Sequence, residues 1–123
     1  AAASSLREQG VEATVLHMPT VKPLDVAALL RHAAEVPAIV TVEEHTLMGG
    51  LGSAVAEAIA EAGLTPVKRV KRIGIPDVFP DQYGSQASLM RRYGISAEQV
   101  ASTVTGLLSG ALREGAPSLT VRA

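Results

Sequence analysis

Three consecutive titratable residues, Glu43, Glu44 and His45, close an apolar run and precede a glycine-rich bend, Gly49-Gly50-Leu51-Gly52-Ser53. Carboxylates beside an imidazole are residue types that perform general acid–base catalysis. Glycines ahead of a helix expose backbone N–H groups that can hold a phosphate or a carboxylate. Both chemistries depend on spacing. The string AIVTV at 38–42 reads as a strand, and the three residues stand just past its carboxyl end, where open α/β sheets place ligands. Successive strand side chains point to opposite faces, so Glu43 and Glu44 diverge while Glu43 and His45 share a side. No nucleophile or further ligand accompanies them. The plainer reading is that they cap loop amides or form ion pairs across a domain or subunit contact.

A metal site is weaker still, because Glu43 and His45 supply two ligands and His17 and His32 belong to other elements. His17 reads as a strand-end residue and His32 as a helix-surface residue. The dinucleotide fingerprint G-x-G-x-x-G matches only through Gly50-Leu51-Gly52; its third glycine position is Val55, and no Walker lysine follows. The glycines therefore fit a tight turn that lets the next helix pack close to the sheet. A bound anion on Gly50, Gly52 and Ser53 is the alternative. Lys68-Arg69-Val70-Lys71-Arg72 is the one basic run, and on a strand it splits between two faces. It reads as a charged edge that resists aggregation.

The elements that must position these residues follow from periodicity and caps. Residues 1–9 read as a helix end stopped at Gly10, and 11–16 as a short strand. Pro19 and Pro23 hold a rigid loop. Asp25 caps a helix carrying Val26, Leu29, Leu30 and Ala33 at helical spacing, and Pro37 ends it. The 38–42 strand lacks polar alternation, so both its faces are covered. In the next helix Val55, Ile59 and Ala62 oppose Glu57 and Glu61, and Gly63 closes it. A third strand spans 67–73, followed by an irregular stretch, 74–84. Ser85 caps a short helix through Tyr93, stopped at Gly94. Ser96 and Gln99 form a capping box for a last helix with Val100, Val104, Leu107, Leu108 and Leu112 inward. Residues 116–123 read equally as a strand or a loose tail. Strand alternating with helix predicts an α/β sheet with helices on both faces.

Composition bounds the function. A chain of 123 residues suits one domain with a single core. With 11 basic and 12 acidic residues and a net charge of -1, there is no electrostatic case for nucleic acid or anionic membrane. The absence of cysteine excludes disulfides, thiolate metal sites and a cysteine nucleophile. One Phe, two Tyr and no Trp leave the core to aliphatics. No apolar run approaches the ~20 residues needed to span a bilayer, and residues 1–8 lack a secretory signal pattern. A cytoplasmic location is the default expectation.

Four strings, PTVKPLD, AIVTVEEHTLMGGLGSAVAE, RIGIPDVF and YGSQASLMRRYGIS, occur here in order. Together the chain resembles the C-terminal domain of thiamine-diphosphate-dependent transketolases and their relatives over about residues 10–108. The relatives include the C-terminal halves of split transketolases, deoxyxylulose-phosphate synthase and the β subunit of 2-oxo-acid dehydrogenase E1. EEH and YGS lean toward transketolase, while GSQASL also suits the synthases. The resemblance implies a three-layer α/β/α domain with a small, mostly parallel, mixed sheet over residues 1–115, and a tail at 116–123.

It also implies that thiamine diphosphate and a divalent metal, Mg or Ca, lie between two upstream domains. One grips the diphosphate and metal; the other supplies the activating glutamate. The family's Gly-Asp-Gly and Asn motif does not occur in this chain, and no catalytic glutamate maps onto it. The expected activity is transfer of a two-carbon ketol unit between phosphosugars, with this stretch inactive alone. A deoxyxylulose-phosphate synthase domain and a partner-docking domain like that of E1 β are the alternatives. The expected partners are the upstream pyrimidine- and diphosphate-binding domains or subunit and a second copy in a homodimer, with no nucleic acid and no membrane. Glu43, Glu44, His45, Gly50, Gly52 and Ser53 then become interface or anion contacts and not catalysts. Relatives open this domain with a strand that the chain lacks: either the chain is a fragment of a longer polypeptide or another segment completes the sheet, and the expectation is that strand and a pyrimidine-binding domain upstream.

Overall fold

The computed structural model describes residues 1–79, 81 and 83–110. In chain order the elements are α1 (Ala2–Glu8), α2 (Val26–Glu35), β1 (Ala38–Thr46), α3 (Leu51–Ala62), β2 (Arg69–Ile75), α4 (Gln86–Arg92) and α5 (Ala97–Ser109). The expected inward Leu112, the boundary at 115 and the 116–123 tail lie outside the described residues.

β1 and β2 pair in parallel, with Ala38 opposite Arg69 through Val42 opposite Ile73. A parallel pair needs a crossover, and α3 supplies it. Ile39 and Val70 pack against a cluster of Leu29 and Ala33 from α2 and Val55 and Ile59 from α3. On the opposite face Arg69 reaches α5, which in turn packs against α1. Helices thus cover both faces of a small parallel sheet, as the alternation of elements predicts. Asp25 accepts the Ala28 amide at 2.9 Å, Ser85 that of Ser88 at 3.2 Å and Ser96 that of Gln99 at 3.3 Å. These bonds fix the starts of α2, α4 and α5 where the cap residues place them. Among the described residues no helix is long and apolar enough to cross a membrane.

Three strand boundaries differ from expectation. Residues 11–16 form no strand: their β-branched run meets no ladder among the described residues, and Val15 stands 74% exposed. β1 continues to Thr46 because β2 also runs on, to Ile75, and gives it a partner. β2 starts at Arg69 and not at 67; Val67 is exposed, and Lys68 turns its ammonium to the Ala34 carbonyl at 3.1 Å.

Beyond Val42 the register slips. β1 takes four residues to cover the step that β2 covers in two, so 43–45 bulge from the ladder. Bulges re-aim side chains, and this one carries all three titratable residues.

Two outcomes test this description. Leu29→Ala empties the centre of the α2–α3 cluster and should cost about 2–5 kcal/mol, read from urea denaturation. At the start of α5, the exposed Glu98 carboxyl is held below its ordinary 4.5 by its own backbone amide and then by the Ser96 hydroxyl. A depressed folded value means the contribution is present above the unfolded value and lost as pH falls through the folded one. Glu98→Gln should remove that acid-side dependence, seen as a flatter stability profile below pH ~4.5.

Candidate functional site

The first amides of a helix have no partner within the helix, and at α3 the N-cap position is Gly50, which has no side chain to offer. Glu43 fills the gap from the bulge. Its Oε2 accepts the Leu51 amide at 2.8 Å and its Oε1 accepts the Gly52 amide at 2.8 Å. A carboxylate there also meets the positive end of the helix dipole.

Three glycines make the fit possible. A Cβ at Gly50 would collide with the Glu43 carboxylate and lie 2.8 Å from His45 Nδ1. One at Gly52 would lie 2.7 Å from both Glu43 Oε1 and Thr41 Oγ1, and one at Gly74 would lie 2.9 Å from the His45 carbonyl. The close-packing reading of the glycines therefore holds, with the acid itself as the object packed against.

Ser53 and Arg72 close the preceding loop. The Ser53 hydroxyl accepts from the Gly49 amide at 3.1 Å and from Arg72 Nη1 at 3.1 Å, and donates to the Leu47 carbonyl at 3.1 Å. One donor and two lone pairs are the full capacity of a hydroxyl. Arg72 Nη1 also donates to the Leu47 carbonyl, and the Leu47 amide donates to the Ile75 carbonyl at 2.8 Å. The buried Thr41 hydroxyl nearby has no hydrogen-bond partner among the described residues.

The other two titratable residues go separate ways. Glu44 points away from Glu43 and accepts from Gln86 Nε2 at 2.7 Å, tying the bulge to α4. His45 stays on the Glu43 side, as alternation predicts, and its Nδ1 lies 2.8 Å from the Thr46 carbonyl. A carbonyl only accepts, so Nδ1 is the donor in this contact. Met18, Val21, Glu43, His45 and Leu51 are among the residues lining a cleft of about 450 Å³. Among the described residues no group of three metal-ligating side chains assembles.

Among the described residues β2 is an edge of a two-stranded sheet, as the charged-edge reading expects, and its cations also bond within the chain. Arg69 Nη1 donates to the Leu107 and Leu108 carbonyls at 2.6 and 3.0 Å, and Lys68 and Arg72 bond as described. Cations at the carbonyl ends of α2 and α5 satisfy orphan acceptors. The only signal in the sequence was that the run divides between two faces, each of which meets a helix.

The family described as "Transketolase, C-terminal domain" matches residues 1–100. The chain is 44% identical over 117 residues to 1-deoxy-D-xylulose-5-phosphate synthase 1 of Geobacter sulfurreducens, covering 95% of this chain and 18% of that protein. It is 47% identical over 119 residues to the corresponding synthase of Thermomicrobium roseum, with the same two coverages. A putative transketolase family protein of Sinorhizobium fredii is 40% identical over 104 residues, 84% of this chain and 30% of that one. Among solved structures, a split-gene transketolase described as an inactive β4 tetramer superimposes with a TM-score of 0.77 at 38% identity. That match covers 88% of this chain and 34% of the other. The chain thus spans about a fifth to a third of the length of these proteins.

The residues around the glycine loop do not fit a diphosphate and its metal. An incoming anion would have to displace Glu43 from the Leu51 and Gly52 amides and then sit beside its charge. Inorganic phosphate should therefore leave the Leu51 and Gly52 amide resonances unmoved. Glu43→Ala should cost about 1–2 kcal/mol by denaturation and speed hydrogen exchange at those amides. Glu43→Gln should not rescue it, because its N–H₂ faces one of the two amide donors. Gly52→Ala forces a methyl against the same carboxylate and should cost about 1–3 kcal/mol.

Proposed function

The chain belongs to the transketolase C-terminal domain family, and from that premise we propose that it is the non-catalytic end of a thiamine-diphosphate-dependent transketolase. The parent enzyme transfers a two-carbon ketol unit between phosphosugars. Thiamine diphosphate and its Mg or Ca ion are held by upstream domains or a partner subunit, where the cofactor supplies the thiazolium carbanion. This domain contributes packing between domains and across a cytoplasmic homodimer. Glu43 and the glycines build the loop from within, and Glu44, His45 and Ser53 stand at or near the boundary with the neighbouring domain.

The single observation that carries this reading is the family match over residues 1–100 by a chain whose own glycine loop is filled by Glu43. A second reading has its own support. Synthases 44% and 47% identical to this chain favour a parent that makes 1-deoxy-D-xylulose 5-phosphate.

Calorimetry and a product assay separate these outcomes. The 123-residue chain should give no binding heat with thiamine diphosphate and Mg²⁺, whereas the intact enzyme should bind both. Binding by the chain alone would overturn its non-catalytic role. Formation of 1-deoxy-D-xylulose 5-phosphate by the intact enzyme, without ketol exchange between phosphosugars, would decide for the second reading.

A further inference from the structure

We propose that the apolar rim at the carboxyl end of the sheet, centred on Phe79 and Tyr83, docks against the domain that precedes this one in the intact enzyme. The inference rests on the reading of the chain as the C-terminal part of a longer enzyme and adds the surface and the partner.

The parallel register sends both strands out at the same end, so the loop after β1 and the stretch from Pro76 to Ser85 emerge together. Met48 and Val78 are exposed there, while Phe79 is 99% and Tyr83 106% exposed. Phe79 is the chain's one phenylalanine and Tyr83 one of its two tyrosines. Side chains this exposed contribute no burial to the fold that carries them, and aromatics of this kind anchor protein interfaces.

Three bonds hold described residues beside them. The Val78 amide bonds the Pro76 carbonyl at 2.8 Å, Arg92 pairs with Asp81 at 3.0 Å, and Gln86 bonds Glu44 at 2.7 Å. In the loop beside them Glu43 fills the first α3 amides and Ser53 bonds Gly49, Leu47 and Arg72. An end that offers apolar rings over filled hydrogen bonds suits a protein surface better than a small polar ligand.

The length of the relatives identifies the occupant. This chain accounts for 18% of the synthases it matches, and its family is a C-terminal one, so the bulk of such a polypeptide precedes it. A second copy of this chain is the competing occupant.

The test uses the intact enzyme, with Phe79 replaced by the photoreactive analogue benzoylphenylalanine. Val67, 89% exposed just before β2 and therefore at the amino end of the sheet, carries the same analogue as control. Mass spectrometry of the irradiated enzyme should map position 79, and not position 67, to the preceding domain. A cross-link to residues 1–123 of a second copy, no cross-link, or equal cross-links from both positions would each overturn the proposal. Phe79→Ser with Tyr83→Ser should speed proteolysis between the domains about tenfold while leaving this domain's denaturation midpoint in place. An unchanged rate would overturn it. Thiamine diphosphate binding is measured on the same preparation. Cross-linking without binding would overturn the enzyme reading alone, and binding without cross-linking the docking surface alone.

Discussion

The carboxylate of Glu43 on the first amides of α3 is the contact around which the rest of the domain is arranged. A helix whose N-cap is glycine has no cap of its own, so the sheet must supply one. That requires a strand residue to leave the ladder, which the bulge at 43–45 provides. It requires helix and strand to approach closely, which Gly50, Gly52 and Gly74 allow. It also requires the loop between them to turn tightly, which Ser53 and Arg72 secure. The acid and the glycines of this cluster thus form a joint between a strand and a helix.

The same logic recurs at helix carbonyl ends. Lys68 turns toward α2 and Arg69 toward α5, each reaching acceptors that the helix cannot satisfy itself. Together with Arg72 at the Leu47 carbonyl, β2 uses cations on both of its faces as struts between layers. A chain with few aromatics relies on aliphatic packing for its core energy, and these charge-assisted bonds fix where the layers sit.

What could be read from the sequence was local. Asp25, Ser85 and Ser96 start their helices because each cap bonds an amide three residues away. Divergence of Glu43 from Glu44 follows from strand alternation, and it survives the bulge. Long-range partners were not legible. The end of β1 depends on how far β2 runs, and the fate of 11–16 depends on whether a ladder is offered, which no property of those residues decides. Arg69 bonds carbonyls 38 and 39 residues away, beyond the reach of any local pattern. Phe79 and Tyr83 were legible only as members of a family-like string. Their exposure is a property of the fold.

The saturated hydroxyl of Ser53 has a consequence for hydration. Its donor and both lone pairs are used inside the chain, and the Leu47 carbonyl accepts from both Ser53 and Arg72. Groups bonded in this way give up little when water leaves, whereas an unsatisfied polar group carries a cost of about 1–3 kcal/mol into any dry contact. The Ser53 hydroxyl and the Leu47 carbonyl can therefore be covered with these hydrogen bonds unchanged. For these two groups, the cost of dehydration is met by bonds made within the domain.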